Sequence, residues 1–436
     1  MDTVIVKITK PIRGGKIKAI ASKSEAHRLL ICAALADTET FIICPERSED
    51  IDATASCMKA LGASVRYEND GFFVTPIDRR AQARDEGKHT LDCGESGSTL
   101  RFLLPVCGAL GINVSLIMGG RLPKRPLSAL YDEMMSHGCF LSEPGHSPLT
   151  CEGQLKSGVY TLPGNVSSQF VSGLLFALPL LEGDSIIKVT GVLESRPYVD
   201  ITQSTLRMFG ITVSEDESGS FIIPGSQSFH SPENVNTGGD WSNAAFWLSA
   251  GAIGQTGITC YGLDLESKQG DRLITELLSR FGASVDYGTN SVTVTPCALR
   301  GIEINAGDTP DLVPVLAAVA SIAEGETVIR NAGRLRIKES DRLKAVAESL
   351  TALGADIMET EDGLIINGKK KLSGGETHSY GDHRIAMTAA VLSGACTGPV
   401  LIRGADAVRK SYPGFFEDFK AVLGGDWEEV YERDGR

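Results

Sequence analysis

The chain repeats itself with a period near 72 residues, and that period decides most of what it can fold into. Three stretches carry it most plainly: MKALGASVRYENDGFFVTP (58–76), LSRFGASVDYGTNSVTVTP (278–296) and LTALGADIMETEDGLIING (350–368). Each reads as a helix end closed by glycine, followed by two alternating strands around a turn. Weaker copies lie at 206–225 and 134–153, with a shortened one at 421–432. The marker glycines Gly62, Gly138, Gly210, Gly282, Gly354 and Gly424 are 76, 72, 72, 72 and 70 residues apart. Chance does not produce that spacing.

A second marker keeps the same step. Short strands end in a polar turn that leads into an apolar helix, anchored at Ser24, Ser96, Ser168, Asp240, Asp311 and Asp382. Ser and Asp favour helix N-caps, which is reason enough for their presence. The helices that follow are apolar on nearly all sides, so each is expected inside a core. One full repeat therefore reads strand, buried helix, strand, amphipathic helix, hairpin, or βαβαββ. No such repeat can bury its faces alone, so repeats must pack in groups. The expected fold is α/β (α+β), with two domains of three βαβαββ repeats around buried helices and a cleft between the domains. The first domain is placed at 15–235 and the second at 236–436 plus the N-terminal strand 1–14. The sixth repeat stops one strand short, and TVIVKIT (3–9) is expected to complete it.

Bulk properties narrow the function. The 436 residues carry a net charge of −13, which argues against nucleic acid or an anionic membrane as the partner. Ten cysteines without a CxxC pair read as reduced, mostly buried thiols of a cytoplasmic protein. No signal peptide opens the chain, and its most apolar run, 102–118, is broken by Pro105, Gly108 and Gly111. Seven scattered histidines form no metal motif, so no metal is expected. GLIINGKK (363–370) mimics a phosphate-binding loop, but Lys370 stands where Ser or Thr is needed and no helix follows. No GxSxG elbow is present.

Six helix starts, each with free N–H groups and partial positive charge, suit anions. If the two sets face each other, the cleft becomes an anion trap. Their turns carry Lys23 and Arg28, then Ser167, Ser168 and Gln169, then Asp311, then His383 and Arg384. Loops before the second helices add RLPKRP (121–126), ESRPY (194–198), RIKESDR (336–342) and RKSYP (409–413). Basic residues thus recur at matching places in an acidic chain, which favours a ligand site over a solvated face. Within RIKESDRL (336–343), Leu343, Val346, Ala347, Leu350 and Leu353 mark the buried stripe, and Ser340 is the expected N-cap. Glu339 beside two cations is either a salt-bridge partner or a carboxyl placed to move a proton.

Taken in order, SKSEAHR, GESGSTLR, LPKRP, VSSQF, SRPYVDIT, PDLVPVLA, RIKESDRL, YGDHRIAM and RKSYP resemble the 5-enolpyruvylshikimate-3-phosphate synthase family over essentially the whole chain. The resemblance implies transfer of the carboxyvinyl group of phosphoenolpyruvate to the 5-hydroxyl of shikimate 3-phosphate, with release of phosphate. This is a step toward chorismate and the aromatic amino acids, and it needs no cofactor. By position, it implies a phosphoenolpyruvate site of Lys23, Gly97, Arg125, Gln169, Arg342, Arg384 and Lys410. For shikimate 3-phosphate it implies Lys23, Ser24, Arg28, Ser167, Ser168, Gln169, Ser195, Tyr198, Asp311 and Lys338. Asp311 would take the hydroxyl proton and Glu339 would protonate the methylene carbon, with Lys23 the third catalytic group.

Two positions depart from the family pattern. Glu95 stands where many members carry Asn, and Arg334 where some carry an Asn. The nearest rival, UDP-N-acetylglucosamine enolpyruvyl transferase, uses a cysteine on the second repeat's loop, and residues 108–138 contain none. An RNA 3′-phosphate cyclase shares related folding units but would need a basic face. The expected partners are therefore small anionic substrates, for a monomer that binds neither nucleic acid nor membrane.

Overall fold

The computed structural model describes residues 3–9, 11–78, 87–422 and 428–432. Among them are six four-stranded sheets, matching the six repeats. The second repeat shows the common plan. His89–Asp92 and Val114–Ile117 run parallel, flanking the helix Gly97–Leu110. After the helix Ser128–Ser136, the hairpin of Cys139–Leu141 and Leu149–Gly153 returns, and its second strand pairs antiparallel with Val114–Ile117. Parallel strands need a crossover of this kind, whereas the antiparallel pair needs only a tight turn.

The chain divides into two compact units, Ala21–Thr237 and Met1–Ile20 with Gly238–Arg436. The boundaries expected at 14/15 and 235/236 therefore shift, and the cause is an exchange of strands. Gly15–Lys18 runs parallel to Ile258–Tyr261 of the fourth repeat, not to a strand of the first. Asn234–Asn236 runs parallel to Thr40–Ile43 of the first repeat, not to a strand of the fourth. Hydrophobic alternation could not reveal this, because either short strand fills either sheet equally well. The N-terminal strand Thr3–Ile8 pairs antiparallel with both Val400–Arg403 and Glu428–Glu432, filling the place expected for it in the sixth sheet. The marker Gly424 lies outside the described residues.

Each unit has its own hydrophobic core, built around three helices. Every residue of Trp241–Ile253 and of His383–Leu392 is buried, as is Lys23–Leu35 from Ala26 onward. The capping pattern differs in part from expectation. Ser96, Asp240 and Asp382 do cap, accepting from the backbone N–H of Thr99, Asn243 and Arg384. Ser22 and Ser167 cap the helices for which Ser24 and Ser168 were expected, because a cap must sit on extended backbone before the first turn. Asp311 lies in the one-turn helix Pro310–Leu312, and the N-cap positions there and of Val313–Ala320 belong to Thr309 and Leu312. The Asp311 carboxylate and the two serine hydroxyls are thereby left to other work.

Among the described residues no helix is long and apolar enough to cross a membrane. Trp247 anchors one core: its ring stacks on Phe415 at 5.0 Å and meets Tyr412 edge-on at 6.0 Å. Trp247→Ala is expected to lower stability by about 3–5 kcal/mol, read from denaturant unfolding. A loss under about 1 kcal/mol would mean that the core closes over the gap.

Candidate active site

In the unit Ala21–Thr237, three helix starts gather cations and hydroxyls. Lys23 opens its helix with Nζ 2.8 Å from Asp50 Oδ2. Arg28, one turn later, is buried and donates to Thr202 Oγ1 at 2.8 Å and to the carbonyls of Ser24 and Tyr198 at 2.6 and 2.8 Å. Burial pulls its pKa down to about 10, so it stays protonated at neutral pH. These bonds fix the carbonyl of Ser24 and the backbone at Tyr198 around one guanidinium. Ser195, just before Tyr198, is buried with a left-handed backbone at φ 55°, a strain that a packed site retains.

Gly97 is the sharpest requirement of this unit. A Cβ there would lie 2.6 Å from Arg101 Nη1 and 2.8 Å from Arg125 Nη1, so two guanidinium groups converge on a helix N-terminus. Gln169 ties this start to the next: its Oε1 accepts from Arg101 at 3.0 Å and its Nε2 donates to Ser98 at 2.9 Å. Ser167 caps Gln169 N at 3.3 Å, and Ser168 beside it is buried. Glu95 is exposed and lies against Gly120, where a Cβ would come within 2.6 Å of both carboxylate oxygens.

The unit Met1–Ile20 with Gly238–Arg436 holds a denser cluster. Arg342, only 2% exposed, meets three carboxylates: Nη1 to Asp311 at 2.8 Å, Nη2 to Glu339 at 2.7 Å and Nε to Asp382 at 2.7 Å. Arg384 makes a second clamp on Asp311, with Nη2 3.0 Å from Oδ2 and Nη1 3.1 Å from the backbone carbonyl. Burial alone would raise Asp311, but Arg384, Lys338 and Arg342 outweigh it and hold its carboxyl well below the usual carboxylate range. Burial likewise opposes the charge on Asp382, and Arg342 and His383 overcome it. Lys410 Nζ donates to the Gly381 carbonyl at 2.8 Å, beside the helix start that Asp382 caps.

RIKESDRL divides in two. Asp341, not Ser340, caps the helix Arg342–Ala352, accepting from Lys344 N, while Ser340 Oγ donates to Asp382 at 3.0 Å. Arg336 turns to the hairpin, pairing with Glu359 at 2.6 Å and donating to the carbonyls of Thr360 and Glu361. Arg336 is thus a structural tie. Glu339 and Arg342 lie in the charged cluster, and Lys338 acts electrostatically on its Asp311.

Comparison with known proteins then decides the relationship. The family model described as EPSP synthase (3-phosphoshikimate 1-carboxyvinyltransferase) matches residues 6–419. The chain belongs to the EPSP synthase family. A protein of Clostridium kluyveri named 3-phosphoshikimate 1-carboxyvinyltransferase is 47% identical over 95% of this chain and 96% of its own length. One of the same name from Clostridium perfringens strain SM101 is 46% identical over 96% and 98%. Among solved structures, EPSP synthase from Acinetobacter baumannii superposes with a TM-score of 0.80 at 26% identity, covering 99% of this chain and all of that one. The two domains of βαβαββ repeats expected from the sequence are the enolpyruvyl transferase fold of this family.

Within that EPSP synthase framework, the residues expected at the site fall into two sets, one in each unit. Lys23, Ser24, Arg28, Gly97, Arg125, Ser167, Ser168, Gln169, Ser195 and Tyr198 lie in Ala21–Thr237, and Asp311, Lys338, Glu339, Arg342, Arg384 and Lys410 in the other. Sequence reasoning did not place Arg101 or Asp382 in the site. Arg101 was detectable as the one charge in the apolar helix GSTLRFLLPVCGAL, since a buried arginine must be held by acceptors. Asp382 was taken for a cap alone, and it is both a cap and an ion-pair partner. Arg334, one of the departures, donates to the Gly307 carbonyl at 2.7 Å.

Proposed function

We propose that this chain transfers the carboxyvinyl group of phosphoenolpyruvate to the 5-hydroxyl of shikimate 3-phosphate and releases phosphate, a step in the shikimate pathway toward chorismate. The clamp of Arg342 and Arg384 on Asp311 carries the reading of its chemistry. Both substrates are multiply charged anions, and guanidinium groups that each give one bond to the Asp311 carboxylate can recognise phosphate and carboxylate in its place. An arriving anion competes for these arginines. As they turn to it, Asp311 loses the charges that hold its pKa down and becomes able to accept a proton.

The proposed chemistry then balances. Asp311 takes the 5-hydroxyl proton as the oxygen attacks C2, and Glu339 delivers a proton to the methylene carbon. The tetrahedral intermediate expels phosphate, which carries off the proton held on Asp311, while Glu339 recovers a proton from the new methyl group. Arg125, Arg342, Arg384 and Lys410, with the helix start at Gly97, are assigned to phosphoenolpyruvate. Charge developing on the departing phosphate is stabilised by the same cations. Arg28 and Lys338 are assigned to shikimate 3-phosphate, with Ser24, Ser167, Ser168 and Ser195 as hydrogen-bonding partners and Tyr198 beside the ring. Gln169 and Lys23 are assigned to both substrates, and Lys23 also to catalysis. Neutral donors beside cations suit a small hydroxylated phosphate ester.

We further propose a cytoplasmic monomer that takes only these small anions and no nucleic acid, in keeping with a net charge of −13. The test is phosphate release with phosphoenolpyruvate and each acceptor in turn. Turnover is expected with shikimate 3-phosphate and none with UDP-N-acetylglucosamine; the reverse would transfer the chain to the rival activity.

A further inference from the structure

A second buried carboxyl stands near Asp311. Asp271 lies in the one-turn helix Gly270–Leu273 and is 2% exposed. Gln269 fastens that turn to the start of the helix Trp241–Ile253, accepting from Trp241 N and donating to the Gly239 carbonyl, both at 2.9 Å. Ser242 Oγ, in the first turn of the same helix, donates to Asp271 Oδ2. The turn Pro310–Leu312, which carries Asp311, and the helix His383–Leu392, which carries Arg384, pack on Trp241–Ile253 as well. Four elements therefore bring Asp271, Asp240, Asp311 and Arg384 to one end of one buried helix. Arg272, the cation on the turn itself, donates instead to the Leu265 carbonyl.

A carboxyl buried this deeply opposes folding unless it is neutral or well matched, and an amide would satisfy Ser242 equally well. Burial pushes Asp271 up to about 6, and the charge on Asp311 adds to the rise, with Asp240 contributing less. Arg384 and the Ser242 hydrogen bond pull it down. Asp271 and Asp311 are thus like charges that share the influence of one cation, Arg384.

We propose that Asp271 is a positioning residue for the carboxyvinyl transfer: its negative charge, aligned by Ser242 and Gln269, draws on Arg384 and strengthens Asp311 as a base once substrate anions engage the arginines. This rests on the reading of Asp311 as the base. A like charge beside Asp311 makes it hold a proton more tightly, and a carboxylate clamped by two arginines is otherwise a poor proton acceptor.

The experiment is the pH profile of kcat for Asp271→Asn, Asp271→Glu and Ser242→Ala, with Asp311→Asn alongside. Asp271→Asn is expected to lower kcat about tenfold with KM for both substrates nearly unchanged. Its acid limb should move down by about one pH unit, because loss of a neighbouring negative charge eases ionisation of Asp311. Asp271→Glu should restore part of both. Ser242→Ala keeps the carboxyl but removes a bond that favours its ionised form, so less negative charge faces Asp311 and the acid limb should also move down, by less than in Asp271→Asn. Displacements graded by the charge left on Asp271 would not follow from damage to packing. An acid limb unchanged in both Asp271→Asn and Ser242→Ala, whatever their melting temperatures, overturns the proposal; if Asp271→Asn does not fold, Ser242→Ala decides alone. Wild-type turnover in Asp311→Asn would instead remove the base assignment itself, whereas an inactive Asp311→Asn beside a wild-type profile in Asp271→Asn removes only the role of Asp271.

Discussion

Glu339→Gln is expected to lower turnover by about two to four orders of magnitude while shikimate 3-phosphate still binds. The amide keeps the shape of the side chain and can still face Arg342, whose Nη2 lies 2.7 Å from Glu339 Oε2. It cannot pass a proton to carbon. Lys338 and the serine turn at Ser167 and Ser168 are untouched, so affinity for the phosphate ester should change little. Lys338→Ala should do the opposite, weakening binding more than turnover. Calorimetric titration and steady-state rates on both variants separate the two roles. Near-wild-type turnover in Glu339→Gln would reduce Glu339 to a salt-bridge partner of Arg342.

Arg342→Ala is expected to destabilise the fold by about 3–5 kcal/mol, because it removes the cation shared by three carboxylates. The dependence on pH should also reverse. In the wild-type chain, Asp311 and Asp382 have folded-state pKa values held below the unfolded ones. Their contribution is complete above roughly pH 4 and is lost as pH falls through the folded values. Without Arg342, burial of Asp382 loses its largest opponent and its folded pKa rises, while Arg384 and Lys338 still hold Asp311 down. A charged, buried Asp382 then opposes folding at neutral pH, and acidification relieves it. The variant should therefore gain stability relative to wild type between pH 8 and pH 5 in urea unfolding. A variant with wild-type stability and wild-type pH dependence would show that Arg384, Lys338 and His383 carry the cluster without it.

Much of this was legible in the sequence because period and polarity are local signals. The 72-residue step exposed the six repeats, and the polar turn before each apolar helix located the places where chemistry gathers. What stayed hidden was contact between distant residues. Nothing local in GKIK (15–18) says that it pairs with Ile258–Tyr261, and nothing in NVN (234–236) says that it lies beside Thr40–Ile43. Capping slipped for a related reason: in SKSEAHR two serines compete, and only backbone geometry shows that Ser22 precedes the first turn. Arg336 and Arg342 look alike within RIKESDRL, yet one pairs with a hairpin and the other, itself buried, with three carboxylates. Charge can be counted along a chain, but its partners are set by the tertiary fold.

The exchanged strands have a consequence for how the chain comes into being. Thr3–Ile8 and Gly15–Lys18 leave the ribosome well before their partners at Val400–Arg403 and Ile258–Tyr261, which follow roughly 400 and 240 residues later. Ala21–Thr237 has all its strands within itself, down to Asn234–Asn236, and can close as soon as that last strand emerges. Topologically it is an insertion, one module threaded into another between Ile20 and Gly238. The host module waits with its opening strands unpaired until the guest is finished. Unpaired until then, those two strands are a part of the nascent chain in need of shelter.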